Sequence, residues 1–358
     1  MALPTTTGML SWAYQSTVLS NIKPKTSFLK QLMFGNRTQN LPTEVAELAY
    51  REGHTLMAPF VEVNAEATSV PGNSIRLGNV SCPNIRLKRP MDAYNAFLRR
   101  LPGTGIFITG GDVVQAARAA AIAEDAQTLA DMIERREEWM VAQMLDYRAA
   151  AGYIRLSYSV AEQANFTVSI PRDTSMVATV STSWATADIA TDIHAVKKAM
   201  ARYQQLTPNV CVLGSNASYL FRTNATVRAT LDTKNVSAGS LELQSQFNES
   251  GVIYLGRYAG IEFWEYAAQF TADGTGTLTD YISADNAIFL HTSPSNEAQW
   301  FYGAIPDHDA FDEGLFVGQR FGKAWKEKDP SVYVQLLHSR PLPFLRRPGA
   351  LYNLKVTP

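Results

Sequence analysis

The densest run of ligand-capable side chains in the sequence is Asp307, His308, Asp309, Asp312 and Glu313. Oxygen donors at that density could hold a hard cation. The spacing matches no EF-hand loop, and a solvated acidic loop explains the run better, so Asp307, Asp309 and Asp312 are weak metal candidates only. Gly103-x-Gly105, followed by Gly110-Gly111 ahead of a helix, has the outline of a phosphate-cradling loop. Position 108 is Ile108 and the Lys-Ser/Thr pair is missing, so neither the dinucleotide fingerprint nor the P-loop is met, and a hinge is the better reading. His54, His194, His291, His308 and His338 are scattered, with no H-E-x-x-H spacing and no G-x-S-x-G elbow elsewhere. Glu134, Glu137 and Glu138 lie close together, but on the polar face of a long helix, where a solvated row is expected and an acid–base pair is not. Arg346-Arg347 could touch phosphates only locally. No reaction is specified, and neither a catalytic residue nor a cofactor is expected.

Those side chains must be positioned by the elements around them. Residues 1–27 are polar and Ser/Thr-rich and read as an extended arm. Phe28, Leu29, Leu32 and Met33 recur at helical spacing, and Gly35 and Asn36 end that turn. Val45 to Tyr50 is strand-like. Val61 and Val63 alternate with polar neighbours, as do Ile85 and Leu87, and Pro71-Gly72-Asn73 lies between them, so a long hairpin is expected there. A two-stranded ribbon is marginal in water by itself. It must lean on another part of the chain or on a neighbouring copy.

A helix over 112–150 is the clearest element, roughly 58 Å long at about 1.5 Å per residue. Asp112 is placed to cap its start and Gly152 to stop it. Ile122, Leu129, Ile133, Met140, Met144 and Tyr147 form its apolar stripe, expected to pack on the protein's own sheet. A hairpin through Ile154–Val160 and Phe166–Ile170 follows. A helix from Asp188 to Leu206, a buried strand over Val210–Leu213 and a helix through Tyr219, Phe221 and Val227 come next. Strands at Val252–Leu255, Ile261–Tyr266, Ala287–His291 and Val332–Leu337 precede a Pro-rich tail. The class is α+β, with two extended excursions that a self-sufficient enzyme seldom needs.

Composition sets the outer bounds. The 358 residues are 46% hydrophobic and 18% charged, enough for two or three compact domains. A formal net charge of -1 exerts no global pull toward nucleic acid or an anionic membrane. The two cysteines, Cys82 and Cys211, have no metal-like spacing and read as reduced thiols. The start lacks a signal-peptide pattern and no stretch is apolar enough to span a bilayer, so a soluble intracellular product is expected.

Four stretches, in this order, resemble the lambda-type tailed-bacteriophage major capsid (head) protein family. The first runs from Phe28-Leu29-Lys30-Gln31-Leu32-Met33-Phe34 to Ala58-Pro59-Phe60-Val61. The second is Ile85-Arg86-Leu87-Lys88-Arg89-Pro90, ahead of Arg99-Arg100-Leu101-Pro102 and the long charged helix. The third is Asn209-Val210-Cys211-Val212-Leu213-Gly214 with Tyr219-Leu220-Phe221. The fourth is Tyr258-Ala259-Gly260-Ile261-Glu262-Phe263-Trp264-Glu265-Tyr266, then Asp285-Asn286-Ala287-Ile288-Phe289-Leu290.

The resemblance implies the capsid fold of tailed phages and herpesviruses. It would divide the chain into an arm (1–50), an extended loop (51–100), a peripheral domain (101–204) with a spine helix (112–150), an axial domain (205–325) and a C-terminal return to the peripheral domain (326–358). It implies a shell of hexamers and pentamers of this chain enclosing double-stranded DNA contacted non-specifically. Because the arm starts almost at Met1, a separate scaffolding protein or a prior cleavage is implied; the other implied partners are a portal and a decoration protein, with no membrane. The place would be the virion, and the host cytoplasm during assembly. Phe28, Leu32, Val61, Val63, Ile85 and Leu87 are the expected intersubunit contacts. A bacterial nanocompartment shell of the same fold stays open at this point.

Overall fold

A computed structural model describes residues 27–35, 37–51, 75–92, 111–146, 152–160, 163–233, 247–248, 251–271, 276–293, 297–308, 315–329 and 332–358. Helix α1 (Phe28–Phe34) precedes strands β1 (Thr38–Asn40), β2 (Val45–Arg51), β3 (Ile75–Ser81) and β4 (Ile85–Asp92). The spine helix α2 (Gly111–Leu145) follows, then β5 (Tyr153–Val160), β6 (Gln163–Pro171) and β7 (Val177–Thr179). Helix α3 (Ile189–Gln204), strand β8 (Val210–Leu213) and helices α4 (Ser215–Thr223) and α5 (Ala225–Thr233) come next. After them run β9 (Phe247–Asn248), β10 (Val252–Tyr258), β11 (Ile261–Tyr266), β12 (Gln269–Thr271) and β13 (Leu278–Asp280). The last strands are β14 (Asn286–Leu290), β15 (Ala298–Tyr302), β16 (Phe321–Glu327), β17 (Val332–Ser339), β18 (Pro341–Leu345) and β19 (Leu351–Lys355).

A seven-stranded mixed sheet in the order β7-β19-β14-β8-β11-β10-β9 organises the second half of the chain. Strand β8 is buried at every position, so it reads as one apolar run. Its residues nevertheless alternate between two cores. Cys211 and Leu213 join Ile193, Val196, Phe221 and Phe263 on the side of α3 and α4. Val210 and Val212 join Met140, Met144 and Trp300 on the side of the spine helix. The strand period of two therefore glues one helical layer to each face.

Local chemistry sets the helix ends. The Asp188 carboxylate accepts the Ala190 N–H at 3.1 Å and starts α3. Asn224 splits the single helix expected through Tyr219 and Val227 into two: its Oδ1 accepts from the Thr226 and Val227 N–H groups at 2.9 and 3.2 Å. The spine helix has 35 residues and is about 52 Å long. Leu129, Ile133, Met140 and Met144 of its expected stripe are buried, whereas Tyr147 lies outside the described residues.

Two expectations are corrected. A hairpin is present, but it is not the expected one: β3 pairs with β2, through Val45↔Ser81 to Arg51↔Ile75. Strand β4 belongs to a different sheet, ordered β16-β17-β4, beside the spine helix. The reason is apolar: Ile85 and Leu87 meet Ala126, Leu129, Ala130 and Ile133 of α2, and Arg89 pairs with Asp125 at 3.3 Å. Val61, Val63 and the turn at Pro71 lie outside the described residues. The Pro-rich tail is not a tail either. Residues Pro341–Leu345 are buried as the edge strand β18 beside β15, and β19 sits inside the seven-stranded sheet between β7 and β14. An edge position tolerates prolines that cannot donate to a ladder.

Candidate functional site

Three joints hold the long elements together, and each is built from residues far apart in sequence. At the first, α1 crosses the spine helix. Glu134, Glu137 and Glu138 share one helical face through their three- and four-residue spacing. That face points inward, with exposures of 7%, 0% and 4%. The solvated row expected from sequence is therefore wrong, because each carboxylate has partners that bring it into the core. Lys30 donates to Glu137 at 2.5 Å and to the Tyr302 hydroxyl at 3.1 Å, and its ammonium lies 4.6 Å from the centre of the Trp300 ring. Glu138 accepts the Leu29 and Lys30 N–H groups at 2.8 and 3.1 Å and the Tyr266 hydroxyl at 3.0 Å. Ser27 makes no side-chain cap, so a carboxylate from another helix caps α1. Arg320 donates to Glu134 at 2.8 Å.

The electrostatics follow from that burial. Desolvation works against the Lys30 ammonium, yet the Glu137 carboxylate and the Tyr302 hydroxyl outweigh it and hold its pKa above the ordinary lysine value. Burial raises Glu138, partly offset by the Leu29 and Lys30 N–H groups and Tyr266. Burial also raises Glu134, against the pull of Arg320. The Tyr302 hydroxyl is pushed up to about 12, first by burial and then by Glu137. The joint thus pairs Lys30 with Glu137 and Arg320 with Glu134, while neutral donors hold Glu138.

The second joint fixes the far end of α2. Asn353 of β19 donates to the Leu145 carbonyl at 2.6 Å while accepting from Arg172 at 3.0 Å. Asp146 accepts from the Ser283 N–H and hydroxyl at 2.9 and 2.6 Å, and from the Asn286 side-chain amide.

The third joint is the root of the β2–β3 hairpin. Arg340, just past β17, pairs with Glu44 at 2.8 Å and donates to the carbonyls of Ala304 and Cys82 at 3.2 and 3.3 Å. The Cys82 N–H donates to the Glu44 carbonyl at 2.9 Å, so one guanidinium holds both feet of the ribbon. Gly303 lets the strands close in, since a Cβ there would lie 2.9 Å from that of Cys82. Cys82 and Cys211 are both free and buried, and burial pushes the Cys82 thiol up to about 11. Sequence reasoning passed over Arg340, although a lone arginine between the apolar runs Val334–Leu337 and Pro341–Leu345 signals a buried charge that needs a partner.

The residues singled out from sequence fall elsewhere. Asp307 pairs with Lys323 at 2.7 Å, whereas Asp309, Asp312 and Glu313 lie outside the described residues. Among the described residues no three His, Cys, Asp or Glu side chains are grouped to hold a metal. Arg346 pairs with Glu297 and Arg347 donates to the Gln204 carbonyl. The half-buried Phe28 ring lies 5.3 Å from Trp264 and 5.9 Å from Tyr266, and Leu32 packs on the same core. Phe28, Leu32, Ile85 and Leu87 thus place apolar surface against their own chain. No helix among the described residues is long and apolar enough to cross a membrane.

A family model described as Phage major capsid protein E matches residues 11–356. The major capsid protein of Escherichia phage lambda is 25% identical over 249 residues, covering 65% of this chain and 72% of that protein. The major capsid protein of Escherichia phage N15 is 26% identical over 254 residues, with the same shares of 65% and 72%. A solved structure described as a prophage capsid protein from E. coli CFT073 superposes with a TM-score of 0.68 at 17% identity, covering 100% of both chains. At that identity the superposition speaks for the fold.

Proposed function

The chain belongs to the Phage major capsid protein E family, and from that premise we propose how this α+β capsid subunit builds its shell. Copies close head to tail into hexamers and pentamers, because a heterologous contact that closes gives a ring. The observation that carries the reading is the β2–β3 ribbon. Its strands pair only with each other in the described residues, while Arg340 holds its root in the body. Ala46 and Leu48 pack one face of its root on the body, Val45 and Glu47 leave the other face exposed, and a neighbouring subunit is the partner a shell supplies to cover it. Modest contacts repeated around each copy then sum by multivalency.

Residues 1–50 act as the arm, and the extended loop begins near 51 and ends at β3, because β4 is a body strand. The spine helix with the β16-β17-β4 sheet forms the peripheral layer, and the seven-stranded sheet forms the axial one, with β19 joining it from the C-terminal segment. Val61 and Val63 contact the neighbour directly. Phe28, Leu32, Ile85 and Leu87 support arm and loop from within. A separate scaffolding protein, a portal and a decoration protein complete the assembly. Double-stranded DNA is enclosed without a sequence-reading groove, and a net charge of -1 limits like-charge repulsion in a dense lattice. Shells assemble in the host cytoplasm and the subunit ends in the virion.

The test trims the ribbon and spares the body. Replacing residues 52–74 by an Asn-Gly turn keeps Arg51 opposite Ile75 and suits a two-residue hairpin. Cutting residues 55–90 instead would remove most of β4 from its sheet. The trimmed chain is expected to be soluble, with the wild-type circular dichroism spectrum, and to give no closed shells in electron micrographs when co-expressed with its neighbouring genes. Normal shells from it would remove the ribbon from the account.

A further inference from the structure

His338 lies on β17 opposite Arg86 of β4 and Phe321 of β16, near the sheet end that adjoins the hairpin root. It is 5% exposed and its Nε2 has no hydrogen-bond partner. The charges that act on it come from every side: Arg86 from β4, Lys323 from β16, Arg340 two residues further along, and Asp307 from the loop before β16. Asp307 is engaged with Lys323, and Glu44 reaches the group only through Arg340. Three cations thus face one carboxylate around a buried imidazole. This surrounding accepts a neutral ring and opposes a charged one.

We propose that the hairpin root is an acid-responsive latch, in which a proton on His338 repels Arg340 and loosens its hold on Glu44 and Cys82, freeing the β2–β3 ribbon from the body. The inference rests on the reading of that ribbon as the shell-building element and adds a control to it. Burial first, then Arg86 and Arg340, hold the His338 pKa at about 4, below the usual 6.5. A depressed folded-state value means that the contribution is whole above about 6.5 and is lost as pH falls toward about 4. The latch is closed at neutral pH and opens in acid. The opening is confined to the root: Ala46, Leu48 and Cys82 leave the core they share with Ile288, Leu290 and Leu351, while Ala287, Phe289 and Leu354 hold β14 and β19 on the separate core under α3.

Hydrogen–deuterium exchange of the full chain at pH 7 and pH 4.5, corrected for intrinsic exchange chemistry, tests this. In the wild type the amides of Val45–Arg51 and Ile75–Ser81 should open more than about tenfold more readily at the lower pH, while those of Asn286–Leu290 and Leu351–Lys355 stay protected. His338→Gln should lose the acceleration. Arg340→Gln should expose the hairpin amides at both pH values with the seven-stranded sheet still protected, which keeps the test valid if His338→Gln does not fold. Equal acceleration in the wild type and His338→Gln, loss of protection across the whole chain, or a hairpin that stays protected in Arg340→Gln would each overturn the latch. The exchange is read on the subunit itself, so a failed latch leaves shell assembly to be judged separately, and failed assembly leaves the exchange result standing.

Discussion

Glu137→Ala should destabilise the chain by about 3–5 kcal/mol, the range for breaking a buried ion pair by removing one partner. Glu137 is fully buried, and its loss strands the Lys30 ammonium against the Trp300 and Tyr302 rings. Contact with the aromatic faces offsets only part of that, at about 2 kcal/mol when desolvated. The triple replacement Lys30→Met/Glu137→Leu/Tyr302→Phe should recover most of the loss, because well-packed apolar residues substitute for a buried pair at little cost and the Tyr302 hydroxyl, which both partners hold, is not left stranded. Urea unfolding of the three chains measures this, with the midpoint falling in Glu137→Ala and returning in the triple variant. A midpoint unchanged in Glu137→Ala would mean that the pair does not tie α1 to the spine helix.

Gly214→Ala should lower stability by more than about 4 kcal/mol, among the largest effects of a single methyl. Gly214 has an ordinary φ of -67°, so its backbone conformation does not demand glycine. What demands it is approach: a Cβ would run into the Ser283 carbonyl oxygen and lie 2.6 Å from that of Ala284. Those atoms are backbone and are held in place, since Gly214 donates to the Asn286 carbonyl and Ala217 to that of Ala284, each at 2.9 Å. Neither side can yield without breaking the passage from β8 into α4. Gly78→Ala in β3 is the control, as its added Cβ would meet nothing within 4 Å. Thermal melts should show Gly78→Ala within a degree or two of the wild type and Gly214→Ala far below it or insoluble. Similar melts for both would remove the close approach as a constraint.

Much of the architecture was legible in the residues. Spacing alone marks α2 and α3, because an amphipathic stripe repeats with the helix itself. The apolar run Val210–Leu213 reads as a buried strand for the same kind of reason. What stayed hidden depends on partners distant in sequence. Glu134, Glu137 and Glu138 look like a solvated row until Lys30, Arg320 and Tyr302 are seen to reach them. Strand β4 looks like the return strand of the hairpin until its apolar face finds the spine helix, for alternation gives a face but no pairing partner. Pro341 and Pro343 look like the end of structure until β15 is seen to supply an edge. The hairpin root shares this cause, since Arg340 lies 258 residues from Cys82.

The most direct measurement of the central claim is negative-stain electron microscopy of the purified chain, expressed alone and then with its neighbouring genes. Closed shells, or free rings of five and six subunits, are the expected result, and the difference between the two expressions reports whether scaffolding is needed. A homogeneous small oligomer under every condition would contradict the account of this chain as a self-assembling shell subunit.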